Sequence, residues 1–276
     1  SMLAAMHHTE RLGLGFDEVD ALTGPVIGRP KSATYRTADV VGLDTLLHVV
    51  KTMTDNLPAD PWHRHYTAPA WLTALVGQGA LGQKTKAGVY RKDGRQIKVL
   101  DLATQDYRDS AGAVAEEVQI ILAERDPQMK LAALRASEHP QAQFLWSVFR
   151  DVFHYVAVHL GDIAHSARDV DFAMRWGFGW QTGPFETWQG AGWKHVADWL
   201  REDIAAGRTM SDAPLPGWVF ERSAAHEPAG SWSAATAALQ PRPALPVHAR
   251  QLFPEQVLGE APRVTHTIWE GDEVRL

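Results

Sequence analysis

A chain of 276 residues, 45% of them apolar, has length for one or two domains and enough apolar mass to bury a core. A formal net charge of −6 and an isoelectric point near 6.1 leave no global positive field to draw nucleic acid or anionic lipid. Cysteine is absent, which excludes disulfides and thiolate metal sites, and no apolar run reaches the ~20 residues of a membrane span. A cytoplasmic setting fits these features.

Residues 3–12 read as the end of a helix, stopped by Gly13 and Gly15. Asp17 is placed to cap the next short helix, which carries Val19 and Leu22. Gly24-Pro25 and Gly28-Arg29-Pro30 are turn material. Thr37 or Asp39 should begin a short helix that Gly42 ends, and Asp44 should cap a helix whose buried face is Leu46, Leu47, Val50 and Met53. His63 and His65, two apart in a loop, invite a metal reading, but no third ligand stands near them. Residues 69–76 read as a short helix. Val89-Tyr90 and Ile97–Val99 flank Asp93-Gly94, a strong hairpin signal. Residues 111–122 read as a helix, and Asp126-Pro127 opens another. The strongest helix covers 141–160, with Leu145, Phe149, Val152 and Val156 in one stripe widened by Trp146, Phe153 and Leu160, a pattern for the centre of a bundle. Trp176, Trp180, Trp188, Trp193 and Trp199 read as core and inter-helix filling rather than a ligand box. From about Ser223 onward, six prolines suggest a linker or wrapping tail, and residues 263–269 alternate like a strand.

The stretch 19–44 has an echo at 170–192. Asp20 aligns with Asp171 and Gly28 with Gly179. After one residue is dropped between Gly28 and Ala33, Tyr35 aligns with Phe185, Thr37 with Thr187 and Gly42 with Gly192. An amphipathic helix follows each copy. The chain is therefore expected to be mostly α, a tandem pair of related helical units with a small β-hairpin and an extended C-terminal tail. The expected boundaries are 1–110, 111–222 and 223–276.

No catalytic signature is visible: there is no glycine-rich turn after a strand, no phosphate loop, no HExxH and no GxSxG. His154, His159 and His165 are spaced five and six apart, which does not put them on one helical face. Asp39 and Asp44 read as helix caps rather than general bases. Arg29 and Lys31 flank Pro30; they could meet a phosphate or simply lie at the surface. No catalytic, cofactor-binding or metal residue is assigned.

The stretch TGPVIGRPKSATYRTADVVGLD resembles the C-terminal domain of 3-hydroxyacyl-CoA dehydrogenases. Gly28-Arg29-Pro30 stands where that family has Gly-Tyr-Pro, Tyr35 for its Phe, Asp39 for its Asp, and Gly42-Leu43-Asp44 for its Gly-Leu-Asp. Gly183-Pro184-Phe185-Glu186 matches the pattern directly. Residues 82–90, GQKTKAGVY, resemble Gly-x-Lys-Thr-Gly-x-Gly-Phe-Tyr and depart from it at Lys86 and Val89. Two tandem units are similar to multifunctional fatty-acid β-oxidation proteins, especially the bacterial type with an enoyl-CoA hydratase domain after the dehydrogenase. The resemblance implies a parent enzyme that uses NAD on a Rossmann domain and acts on acyl-CoA. It implies that this chain is a substrate-side and dimerisation fragment, with a homodimer among its expected partners, binding no NAD and inactive alone. The missing partners would be the Rossmann domain and a hydratase domain reached through the tail. Gly28, Arg29, Pro30 and Lys31 are the expected substrate-facing residues; burial of that turn against the second unit would count against them. The rival reading is a non-catalytic helical dimerisation or scaffold module.

Overall fold

A computed structural model describes residues 1–242. The first half runs α1 (Met2–Leu12), α2 (Phe16–Leu22), a 3-10 turn (Pro25–Ile27), α3 (Tyr35–Val41), α4 (Leu43–Asn56) and α5 (Ala70–Gly77). It ends in three strands, β1 (Tyr90–Asp93), β2 (Gln96–Leu100) and β3 (Tyr107–Asp109). Then α6 (Glu116–Ala123) and α7 (Pro127–Ala136) lead to α8 (Pro140–Ile163). The second half continues with α9 (Ala167–Phe172), a π turn (Ala173–Gly177), α10 (Pro184–Gly190), α11 (Trp193–Ala205) and α12 (Trp218–Glu221). It too ends in three strands, β4 (His226–Glu227), β5 (Gly230–Ser233) and β6 (Ala238–Gln240). Both sheets are antiparallel meanders in sequence order. Among the described residues no helix is long and apolar enough to cross a membrane. The fold is mostly α, as expected.

α8 is the axis of the molecule. His139 caps it through Nδ1, which accepts the Gln141 N–H, and Pro140 fills its first turn, where its missing N–H costs nothing. Leu145, Trp146, Phe153 and Leu160 are all buried, because helices of both halves pack around it. Trp188 and Trp193 stack 4.4 Å apart in the core, so these two tryptophans are filling. Trp176 is 72% exposed and does not fit that expectation.

The repeat is physical. Gly28 and Gly179 both sit in the left-handed region, at φ 71° and 67°, and Gly42 and Gly192 both have positive φ, at 102° and 89°. Such values favour glycine. The Asp20 carboxylate accepts the backbone N–H groups of Thr34, Tyr35 and Arg36 at 2.6–3.0 Å. Asp171 accepts those of Phe185 and Glu186 at 2.8 and 3.1 Å. Each aspartate therefore caps the following helix from about fifteen residues upstream. This explains why α3 starts at Tyr35 and not at Thr37 or Asp39.

A second clasp joins each helical layer to its sheet. Asp39 accepts the N–H groups of Val89 and Tyr90, both at 2.8 Å, so it is not a helix cap. Gln189 takes the equivalent place and accepts from Ala225 and His226 at 3.0 and 2.9 Å. The duplication thus extends through the sheets.

Four further expectations change. Asp17 lies inside α2, which Gly15 begins and Glu18 closes by accepting the Gly15 N–H. Its carboxylate instead takes Arg108 and the N–H groups of Ala111 and Gly112. Those bonds tie residues 111 and 112 to α2, residues 111–115 stay outside the helix, and α6 starts at Glu116. Asp44 lies in the first turn of α4 and pairs with Lys84 at 2.7 Å rather than capping. Finally, residues 226–240 form a sheet instead of tail, since Pro228 sits in a tight turn that a meander tolerates. The strand expected over 263–269 lies outside the described residues.

Candidate functional site

The central turn is shared between the two halves. The Gln181 N–H donates to the Gly28 carbonyl at 2.8 Å. The Arg29 guanidinium lies 3.9 Å from the Trp180 ring centroid and 5.9 Å from that of Phe149. Desolvated cation–π contacts of this kind contribute ~2 kcal/mol. Pro30 and Lys31 stay exposed. The four expected residues are therefore split: Gly28 and Arg29 hold the second half, while Pro30 and Lys31 face outward.

Trp180 also borders a cavity of about 880 Å³ between the start of α1 and helices α4, α8 and α9. Its wall is mainly apolar, with Leu46, Val50 and Met53 from α4 facing Val152, Tyr155 and Val156 from α8. An open apolar cleft of that size suits an extended acyl chain far better than a charged head group.

Asp151 reaches the cavity wall from a buried polar network that sequence reasoning missed. The Arg11 Nε–H donates to His8 Nδ1 at 3.1 Å. That bond leaves the His8 proton on Nε2, which donates to Asp151 at 2.5 Å. Arg150 donates to Asp151 at 3.0 Å, and the Met210 N–H at 3.1 Å. Burial lowers the His8 imidazole against the pull of Asp151, so it is held neutral. Burial alone would raise Asp151, but the bond from His8 and the charge of Arg150 outweigh it and hold the carboxyl below its ordinary value. His8 and Asp151 are each 1% exposed at the side chain, so this pair welds α1 to α8 and offers no base to a substrate.

A second constellation imitates a nucleophilic triad. His226 bridges Asp171, at 2.7 Å from Nε2, and Ser231, at 2.8 Å from Nδ1. Ser231 is 1% exposed, so no substrate carbonyl can reach its hydroxyl. His226 here does for Asp171 what the Tyr90 hydroxyl, 2.7 Å away, does for Asp20. Burial raises both aspartates, Asp20 to about 6, and their hydrogen bonds only partly offset it. No cluster of three or more possible metal ligands occurs among the described residues. His63 and His65 do not converge: His63 bonds the Leu57 carbonyl and His65 that of Met210.

Comparison with known proteins gives this arrangement its context. Residues 2–92 match the family model for the 3-hydroxyacyl-CoA dehydrogenase C-terminal domain. A protein of Bacillus subtilis (strain 168), named a probable 3-hydroxyacyl-CoA dehydrogenase, is 34% identical over 220 residues, covering 80% of this chain and 27% of that protein. A Rickettsia prowazekii (strain Madrid E) protein, named as a candidate fatty acid oxidation complex trifunctional enzyme, is 23% identical over 186 residues, covering 66% of this chain and 24% of the relative. The chain thus spans about a quarter of the length of the curated relatives it matches. Among solved structures, Escherichia coli 3-hydroxybutyryl-CoA dehydrogenase shares the fold with a TM-score of 0.50 at 16% identity, over 79% of this chain and 56% of that one. The matched first unit and the curated relatives make this chain similar to the 3-hydroxyacyl-CoA dehydrogenases, and its first unit to their C-terminal domain.

Proposed function

We propose that this chain is the substrate-side helical part of an NAD-dependent 3-hydroxyacyl-CoA dehydrogenase of fatty-acid β-oxidation, with the acyl chain lying in the 880 Å³ cavity. The apolar wall of that cavity is the observation that carries the reading. None of the four turn residues lines that cavity, and the packing of Gly28 and Arg29 on the second half counts against their touching substrate; in this reading the turn shapes the groove only through the Arg29–Trp180 stack, and exposed Lys31 is left to meet the CoA head group. The described strands are antiparallel meanders with no parallel βαβ unit, which supports the reading that this part binds no dinucleotide. Hydride acceptance therefore belongs to a nucleotide-binding domain that works with this one. Alone, the chain is inactive in this reading. In the same reading a hydratase domain and a second copy of the enzyme are partners.

The test is calorimetry on the full chain with a 3-hydroxyacyl-CoA, and separately with NAD. Acyl-CoA should bind, NAD should give no saturable heat, and mixing all three should form no NADH. Val49→Trp, on the exposed side of α4 at the cavity wall, should weaken acyl-CoA binding roughly 10-fold by filling the cleft. Unchanged affinity in that variant would place the acyl chain elsewhere. In an enzyme that includes the nucleotide domain, an acyl-CoA KM untouched by Arg29→Ala and Lys31→Ala would remove the turn from the groove.

One observation favours the rival reading of a dimerisation or scaffold module: Trp176 in the π turn and Phe178 just after it are 72% and 63% exposed. Sedimentation equilibrium separates the two readings. A dimer dissociated by Trp176→Ala, with no acyl-CoA binding, would replace the enzyme reading.

A further inference from the structure

The Arg29–Trp180 stack also borders a smaller cavity, of about 290 Å³, between the first turn, α7, α8 and the loop before α10. Arg29, Lys130 and Gln181 line one part of its wall, and Leu131, Leu134, Val152 and Phe153 line another. No aspartate or glutamate among the described residues lines it.

Arg29 is the group that needs explaining. Its contacts with the rings of Trp180 and Phe149 engage the charge but accept none of its five N–H donors. Among the described residues it makes no ion pair and no side-chain hydrogen bond. Its nitrogens are not sealed in the core, so an acceptor can reach them. Burial pulls the guanidinium down to about 9, and no carboxylate offsets that. A half-buried cation whose donors lack an acceptor is costly to keep. Lys130, on α7, is also half-buried and also makes no ion pair. Gln181 spends its backbone N–H on the Gly28 carbonyl and leaves its side-chain amide free. Three sets of unused donors, from the first turn, α7 and the second half, thus meet at one cavity. The resembling family has tyrosine where this chain has Arg29, so the guanidinium is a departure from that pattern.

We propose that this cavity binds a small monocarboxylic acid with a short apolar tail. The planar fork of Arg29 suits both oxygens of a carboxylate, Lys130 adds a point charge and the Gln181 amide a further donor. The leucines, Val152 and Phe153 receive the tail. A bare inorganic anion would lose its water against those apolar residues and gain nothing in return. The proposal does not rest on the acyl-CoA reading, and neither Arg29 nor Lys130 lines the larger groove.

The experiment is calorimetric titration of the full chain with hexanoate, hexanamide and inorganic phosphate. Hexanoate should bind at one saturable site and weaken at high ionic strength. Hexanamide, which has the tail but no charge, and phosphate, which has the charge but no tail, should give no saturable heat. Lys130→Ala and Arg29→Lys should each weaken hexanoate roughly 10-fold, the loss of one charge-assisted contact. Arg29→Lys keeps a cation over Trp180, so its melting temperature should stay near that of the wild type, which separates lost binding from lost fold. Val49→Trp, which fills the larger cleft, should leave hexanoate affinity unaltered. Absence of saturable hexanoate binding, equal binding of hexanamide or phosphate, wild-type affinity in both charge variants, or loss of hexanoate binding in Val49→Trp overturns the proposal.

Discussion

In the first half of the molecule Asp20 accepts three backbone N–H groups and a phenolic O–H, and Asp39 accepts two more N–H groups from the first sheet. In the second half Asp171 accepts two N–H groups and faces an imidazole, and the sheet is held by a neutral amide, Gln189. The geometry of the clasp was kept while its chemistry changed. What the duplicated unit requires, then, is an acceptor at two positions, and the kind of acceptor is free to vary. Above those clasps the halves diverge further. At the aligned positions Arg29 and Trp180 stack on each other, whereas Trp176, aligned with Pro25, turns to solvent.

The comparison breaks first at the upstream aspartates. Asp20→Ala leaves three backbone N–H groups without their acceptor and the Tyr90 hydroxyl with only its 3.3 Å bond to the Phe16 carbonyl, a loss of about 4 kcal/mol. Asp171→Ala orphans fewer donors and should cost about 2–3 kcal/mol. Denaturant unfolding measures both; equal losses would mean that donor number does not set the difference. The sheet clasps give a smaller contrast. Asp39→Ala should cost about 2–3 kcal/mol and Gln189→Ala about 1–2 kcal/mol, because a charged acceptor makes the stronger bond. Far-UV melts of the two variants test the order.

The smallest effect at neutral pH belongs to the weld between the halves. The folded state lowers both His8 and Asp151. For a lowered histidine the unfolded chain binds the extra proton, so stability is full above the unfolded value and is lost as pH falls below ~6.5. The lowered Asp151 adds a further loss as pH falls below ~4, through its folded value. His8→Gln can still donate to Asp151 and accept from Arg11, so it should leave neutral stability nearly unchanged and flatten the slope below about pH 6.5. An unaltered slope in urea unfolding across that window would remove His8 from the weld.

The first step of the repeat was legible because its glycines answer to local rules. A positive φ at Gly28, Gly42, Gly179 and Gly192 is a demand of the backbone at one residue, and it leaves a mark in the residue type. The aspartates were visible as aligned letters, but their work was not. Asp17, Asp39 and Asp44 all read as local caps, and each turned out to reach a partner far along the chain: Arg108, Tyr90 and Lys84. A carboxylate before a helix looks the same in sequence whether it bonds its own turn or another element.

By itself, the sequence determined the helical character, the axis helix α8, the Asp126-Pro127 start of α7, the Asp93-Gly94 hairpin and the alignment of the two units. Each depends on period, cap or turn chemistry within a few residues. The tertiary structure alone decided where α3 and α6 begin, that a second sheet forms, that His8 meets Asp151 across 143 residues, and that Arg29 turns inward. It also opened the apolar cavity. Those features come from side chains brought together by packing, and separation along the chain carries no record of which distant donor an acceptor will find.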